Sequence, residues 1–125
     1  MTEPNPRTLT SQEEEEEFLI GFLGRLRELA AAPPFQALLV AGGADAVTEP
    51  LARLLLARAA APAVRVAALR ALEGLALALP RPALAGAFHP VRRRLQGALD
   101  DPKRGVRRQA GATLRRWRAA GEAAP

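Results

Sequence analysis

Few side chains in this sequence are of the types that perform covalent or acid–base chemistry. There is no cysteine and no tyrosine, and His89 is the single histidine. These residue types supply no pairing of a nucleophile with a base, and they allow neither a disulfide nor a thiolate metal site. His89 stands immediately before Pro90, where a helix is predicted to begin, and we interpret it as a capping or solvent-facing residue.

The adjacent carboxylates of Asp100 and Asp101 are the other candidates for acid–base work. Paired carboxylates serve as general acid and base in many hydrolases. Here Pro102 and the basic residues Lys103 and Arg104 follow directly. That pattern is typical of a helix cap with local ion pairs. We therefore expect a protein that is not an enzyme and that carries no cofactor and no metal.

Basic side chains are the remaining functional candidates, and they concentrate in the C-terminal third of the chain. The formal net charge is +5 and the isoelectric point is about 11.3. Acidic residues gather at Glu13–Glu17, whereas basic residues gather from Arg92 onward. This asymmetry indicates either a solvated helix face or a docking surface for an acidic partner, protein or nucleic acid. The residues predicted to bind such a partner are Arg92, Arg93, Arg94, Lys103, Arg104, Arg108, Arg115 and Arg118.

The element expected to organise the fold is a helix that begins at Pro62. Proline suits the first turn of a helix because its missing N–H has no partner there. At 100° per residue one face is strongly apolar, and Val66 and Leu77 add apolar character to the opposite face. A helix that is apolar nearly all round is covered on two sides, so we place it between two other helices. Its predicted buried face comprises Val64, Ala68, Ala71, Leu72, Leu75 and Leu79.

The same pattern returns about 42 residues later. Val64-Arg65 aligns with Val106-Arg107, and Ala68 aligns with Ala110. Helical pairs of the HEAT and armadillo kind repeat every ~40–47 residues. The sequence therefore predicts an all-α chain of antiparallel helix pairs, stacked as a short HEAT/armadillo-like solenoid. The alternative is an ordinary helical bundle. The last helix is expected to face inward through Val106, Ala110, Thr113, Leu114 and Trp117.

The first helix is predicted to begin at Ser11 and to end before Pro33-Pro34. Gly21 and Gly24 lie in its middle, at a cost of about 1 kcal/mol each relative to alanine, which indicates close approach of another helix. In the last two repeats, Arg65 and Arg107 are expected to be structural, each pairing with a carboxylate. The predicted apolar stripe of the first helix consists of Phe18, Phe22, Leu26 and Leu29.

These elements suggest one domain with short ends. No apolar run reaches the roughly 18 residues that span a bilayer, and the polar, acidic N-terminus is unlike a signal peptide. We expect an intracellular, soluble protein. The predicted segments are a disordered lead-in over 1–10, HEAT-like repeats over 11–120, and a flexible tail over 121–125. Within the repeats, 11–61 is divergent, 62–101 is a clear repeat, and 102–120 is the first helix of the last repeat.

Several short segments in the second half of the chain match one known pattern. They are Ala63-Val-Arg-Val-Ala-Ala-Leu69, Leu79-Pro80, His89-Pro-Val91, Ala98-Leu-Asp-Asp101 and Lys103-Arg-Gly-Val-Arg-Arg108. Together they resemble the extreme C-terminal HEAT repeats of the methyl-methanesulfonate-sensitivity family, which is also named for nucleotide excision repair. The resemblance covers about half of the chain, and the high alanine and arginine content departs from the family pattern.

This resemblance implies a non-catalytic scaffold. Members of the family belong to the cytosolic iron–sulfur assembly targeting complex, where they hold a carrier subunit and a propeller subunit during delivery of clusters to apoproteins. The clients include helicases and polymerases of DNA repair and replication. The chain would then be a C-terminal piece of such a scaffold, acting in the cytoplasm and nucleus with those subunits and clients as partners.

Direct nucleic-acid binding through the basic C-terminal face is the alternative function. It predicts an affinity that falls steeply with salt, because neutralised phosphates release their counterions. Only five aromatic residues of the Phe and Trp types are present in the whole chain. The chain therefore offers few aromatic rings on which nucleic-acid bases could stack.

Overall fold

The computed structural model describes residues 11–42, 48, 52–53 and 60–122. Within these ranges the chain is helical with short turns and contains no strand, which confirms the all-α prediction. The predicted lead-in and the end of the predicted tail lie outside them. No helix in these ranges is both long enough and apolar enough to cross a bilayer. The helices are α1 (Ser11–Ala30), α2 (Pro33–Gly42), α3 (Pro62–Ala78), α4 (Arg81–Leu84), α5 (Phe88–Ala98) and α6 (Arg104–Glu122), with a 3₁₀ turn at Ala85–Ala87.

Prolines set both ends of α3. Pro62 occupies the first turn, and Ala61 before it is extended. At the other end Leu79 is extended, with φ −98° and ψ 146°, and its N–H donates to the carbonyl of Leu75. Because Pro80 follows, a helical conformation of Leu79 is sterically disfavoured. The predicted start of this helix at Pro62 is thus confirmed.

The position of α3 between two helices is also confirmed. It packs against α1 and against α6. All six residues of its predicted buried face are buried, whereas Val66 is half-buried and Leu77 is 57% exposed. Gln36 joins α2 to the end of α3, since its side-chain N–H donates to the carbonyl of Ala78 at 2.7 Å.

The rotation of α1 differs from the prediction. Its buried residues are Leu23, Leu26 and Ala30, so only Leu26 of the predicted stripe is buried. Phe18 and Phe22 are 70% and 51% exposed. The helix carries apolar residues around more than half of its circumference, and the face with smaller side chains is the one that packs on α3.

Close approach between α1 and α3 occurs at a glycine, although not at the predicted ones. A Cβ atom at Gly74 of α3 would lie 2.7 Å from Cγ of Arg27, so the stem of that arginine crosses α3 there. A Cβ atom at Gly21 or Gly24 would meet nothing within 4 Å. The prediction that these two glycines admit another helix of the same chain is therefore wrong.

Gly24→Ala is expected to raise the free energy of unfolding by about 0.5–1 kcal/mol, because alanine restricts the unfolded chain and has open space in α1. Gly74→Ala is the comparison, since there the stem of Arg27 must move to admit the methyl group. Urea unfolding followed by circular dichroism measures both. A loss of stability in Gly24→Ala would contradict the open space described at that position.

The segment between α3 and α5, whose sequence predicts a connector over 83–87, is helical. It forms α4 and the 3₁₀ turn, which bury Leu84 and Ala87. In α5 the spacing of Val91, Leu95, Ala98 and Leu99 predicts one inward face, and the first three are buried. Leu99, which follows the last residue of α5, is 38% exposed. At the C-terminal end, α6 continues to Glu122, two residues into the predicted tail.

The repeat seen in the sequence extends to burial and hydrogen bonding. Val64 and Val106 are each 1% exposed, and Ala68 and Ala110 are each fully buried. Nη1 of Arg65 donates to the carbonyl of Ala60, five residues earlier. Nη1 of Arg107 donates at 3.1 Å to the carbonyl of Pro102, also five residues earlier. The equivalent valine and alanine residues are thus equally buried, and the equivalent arginines share a hydrogen bond to the carbonyl five residues earlier.

Candidate functional site

The candidate site is built on α6, the most basic helix that the structure describes. Its sequence contains six arginines and one glutamate. The predicted apolar face is confirmed, because every member is buried, and it packs against α3 and α5. With that face covered, the periodicity of the helix turns the arginines outward. The buried members are Val106, Ala110, Thr113, Leu114 and Trp117.

Two hydrogen bonds fix the rotation of α6 about its own axis. The hydroxyl of Thr113 donates to the carbonyl of Leu69 at 3.0 Å. The indole N–H of Trp117 donates to the carbonyl of Leu72, also at 3.0 Å. Both acceptors lie on α3, and both donors are fully buried. The outward side chains of α6 are therefore held by a helix that has little freedom to turn.

Four outward arginines, Arg104, Arg108, Arg115 and Arg118, form what we call the arginine stripe. All four are exposed, and their spacing places them on one face of α6. At 1.5 Å per residue the stripe is about 21 Å long. Gly111 lies in its middle, where a Cβ atom would be 3.7 Å from Nη1 of Arg115. No carboxylate whose side chain the structure describes forms an ion pair with any of the four.

The turn that precedes α6 is organised by Asp101. Its carboxylate accepts Nε of Arg65 at 2.8 Å and Nη2 of the same arginine at 3.1 Å, and both side chains are buried. The backbone N–H of Lys103 donates to the same carboxylate at 2.9 Å. Asp101 is therefore an ion-pairing residue, although its partner is the distant Arg65 and not the neighbouring Lys103 or Arg104. Its bond to the N–H of Lys103 shapes the turn before α6, whereas Asp100 is exposed.

The two arginines expected to be structural make different contacts. Arg65 pairs with a carboxylate, as predicted. Arg107 instead donates from Nη1 to the backbone carbonyls of Asp101, at 2.8 Å, and of Pro102. The buried carboxylate at this turn is already held by Arg65 in two places, so Arg107 takes the carbonyls beside it.

The other predicted partner-binding residues are not all part of the stripe. Lys103 is exposed at the start of α6, while Arg93 and Arg94 are exposed on α5. Arg92 is half-buried, and its guanidinium carbon lies 5.5 Å from the centroid of the Phe88 ring. The guanidinium of Arg92 is therefore less accessible to a partner than the sequence suggested, because it packs over the aromatic ring of Phe88.

Phe88, the first residue of α5, packs near the C-terminal end of α6. His89 is exposed, and its ring meets the edge of Phe88 with centroids 6.3 Å apart. Phe88 in turn meets Trp117 edge-to-face at 6.1 Å and occupies the space beside Gly121. The interpretation of His89 as a solvent-facing residue agrees with this position.

Sequence reasoning missed an exposed aromatic pair on α1. The rings of Phe18 and Phe22 are stacked, with centroids 6.4 Å apart and planes inclined by 15°. The signal was present in the sequence, since α1 has a second apolar face made of Leu23, Leu26 and Ala30. A helix with two apolar faces buries one of them and leaves the other for a second contact.

Comparisons with known proteins add no assignment to this geometry. Among the described side chains there is no group of three or more histidine or carboxylate residues that could hold a metal ion. The chain matches no protein-family model, and no curated protein shows significant similarity to it.

Proposed function

We propose that the chain is a HEAT-like helical-repeat module that binds an acidic protein partner without catalysing a reaction. Support for the repeat comes from α3 and the start of α6, where equivalent valine and alanine residues are equally buried and equivalent arginines each donate to the carbonyl five residues earlier. The order of packing supports a stack rather than a closed bundle. α3 lies between α1 and α6, as the middle helix of a row does.

The observation that carries the binding function is the arginine stripe. Four guanidinium groups lie along ~21 Å of one helix, and none is paired with a described carboxylate. Guanidinium groups bind carboxylates through two parallel hydrogen bonds, which adds direction to the charge attraction. A rigid helix that presents four of them suits a partner with a row of aspartates or glutamates.

A protein partner suits this surface better than a nucleic acid. Trp117, the aromatic residue of α6, is fully buried and its N–H is used by Leu72. The stripe therefore lacks the exposed rings on which single-stranded bases stack. The resemblance favours the subunits of the iron–sulfur assembly targeting complex and its clients, in the cytoplasm and nucleus, as the acidic partners.

Arg108→Glu with Arg115→Glu is expected to weaken binding of the acidic partner at least tenfold, because two attractive contacts become repulsive at the centre of the stripe. The matched control is Arg70→Glu with Arg116→Glu, which changes the net charge equally at exposed positions outside the stripe. A pull-down from cytosol, with each iron–sulfur assembly subunit quantified, compares the parent chain and both variants. Circular dichroism verifies that all three remain helical.

Two outcomes would contradict the proposal. Equal loss of binding in the control variant would show that net charge, and not the stripe, attracts the partner. Recovery of nucleic acid alone, lost by about 0.3 M salt as counterion release predicts, would favour the nucleic-acid alternative. The pair Arg93→Glu and Arg94→Glu tests separately whether α5 contributes.

A further inference from the structure

One flank of α1, beside the face that packs on α3, carries an exposed row of apolar residues. We define it by Phe18, Phe22, Arg25 and Leu29, which share one face at helical spacing. The phenyl rings are stacked on each other, and Leu29 is 42% exposed. Single exposed apolar residues are ordinary, whereas a row of them on one helix marks an interaction surface.

The charges along α1 are ordered from one end to the other. The first turns carry five consecutive glutamates, Glu13–Glu17, and the second half carries Arg25 and Arg27 with a single glutamate, Glu28. A second α1 that runs antiparallel to the first would bring the acidic half of each helix beside the basic half of the other. The two helix dipoles would also oppose each other, which is their favourable arrangement.

The spacing of particular residues fits such a pair. Arg25 lies seven residues after Phe18, and Glu15 lies seven residues before Phe22, which is about 10.5 Å along the helix in each case. When Phe18 stands opposite Phe22 of a second copy, Arg25 therefore stands opposite Glu15 of that copy. The two-fold axis repeats both contacts, so four phenyl rings lie between two ion pairs.

Glycine supports a short distance between the two helices. Gly21 precedes Phe22 in the sequence, and a Cβ atom there would meet nothing within 4 Å. The absence of a side chain at this position is costly in a helix, and no contact inside the described chain explains it. A helix from another molecule would use that space.

We propose that α1 binds α1 of a second copy of this chain, in an antiparallel dimer with two-fold symmetry. Such an interface is isologous and closes after two molecules, as most homodimers do. The arginine stripe lies on α6, at the other end of the row of helices, and stays free in this dimer. The proposal is therefore independent of the function proposed for the stripe.

Sedimentation equilibrium of the full chain over a concentration series gives the dimer dissociation constant. Phe18→Ser with Phe22→Ser is expected to raise it about 100-fold or more, because central aromatic residues dominate such interfaces. The control is Leu38→Ser with Leu77→Ser, which removes two exposed leucines from other helices and is expected to leave dimerisation unchanged. Because all four side chains are exposed, circular dichroism is expected to show helical chains throughout.

A charge exchange tests the antiparallel register. Arg25→Glu alone and Glu15→Arg alone are each expected to weaken the dimer about tenfold, since each places like charges together twice. An equimolar mixture of the two variants restores opposite charges at both contacts and is expected to form heterodimers close to the parent affinity. A parallel pair of helices would instead place Arg25 beside Arg25 and Glu15 beside Glu15 in the parent chain. Neither single variant would then weaken the dimer, and that result would contradict the antiparallel register.

The remaining outcomes overturn the proposal. A parent chain that is monomeric throughout the concentration series would exclude a second copy as the occupant. Association that survives in Phe18→Ser with Phe22→Ser but is lost in Arg108→Glu with Arg115→Glu would assign self-association to the arginine stripe. Either result leaves the pull-down of the acidic partner interpretable on its own.

Discussion

Asp101→Ala is expected to lower the free energy of unfolding by about 3–5 kcal/mol. The substitution removes the carboxylate that accepts two hydrogen bonds from Arg65, and it leaves that guanidinium buried without its counter-charge. It also removes the acceptor for the backbone N–H of Lys103, which precedes α6. Chemical denaturation followed by circular dichroism measures the change, and a loss below about 1 kcal/mol would contradict a buried ion pair.

Asp100 provides the matched control, since it is the neighbouring carboxylate and is exposed. Asp100→Ala is expected to change stability by no more than about 0.5 kcal/mol. A double variant separates the cost of burying the two charges from the attraction between Arg65 and Asp101. Replacing both partners, as Arg65→Met with Asp101→Leu, is expected to recover much of the loss, because a buried pair of charges has little net advantage over apolar packing.

Trp117→Ala is expected to destabilise the chain by about 3–5 kcal/mol, as large-to-small substitutions in cores do. The indole is fully buried, its N–H donates to Leu72, and its ring meets Phe88 edge-to-face. The substitution therefore opens a cavity between α3, α5 and α6 at the same time as it removes a tie between two of them. The midpoint of urea unfolding measures the loss.

Trp117→Phe isolates the hydrogen bond from the volume. It keeps most of the ring and removes the N–H donor, so a smaller loss of about 1 kcal/mol is expected. Leu77→Ala is the control for removing a large apolar side chain, because Leu77 is 57% exposed. If Trp117→Ala and Leu77→Ala proved equally stable, the central position assigned to the indole would be incorrect.

The sequence was sufficient to predict α3 and α6 in detail. Proline marks the ends of α3 at Pro62 and Pro80, and these residues act locally, so their effect is visible without a structure. The apolar periodicity of α6 is unambiguous because arginines occupy most of its remaining positions, and α3 is recognised as a central helix because it is apolar nearly all round. The outward placement of Arg104, Arg108, Arg115 and Arg118 followed from the same periodicity.

Other features depend on contacts that periodicity does not contain. The rotation of α1 is set by which apolar face fits α3, and Gly74 accommodates the stem of Arg27 at their crossing. The partner of Arg107 depends on the prior engagement of Asp101 by Arg65. The half-burial of Arg92 results from Phe88, one turn before it in α5.

The hydrogen bonds between α6 and α3 also determine how a pulling force on α6 would be transmitted to the rest of the chain. The side chains of Thr113 and Trp117 are joined to carbonyls of α3, and Arg65 joins α3 to the turn before α6. These three links lie in the turn before α6 and, within its second half, at Thr113 and Trp117. A force applied along the arginine stripe would therefore be shared among them and transmitted to the middle helix, and peeling α6 from one end would require the links to break in succession.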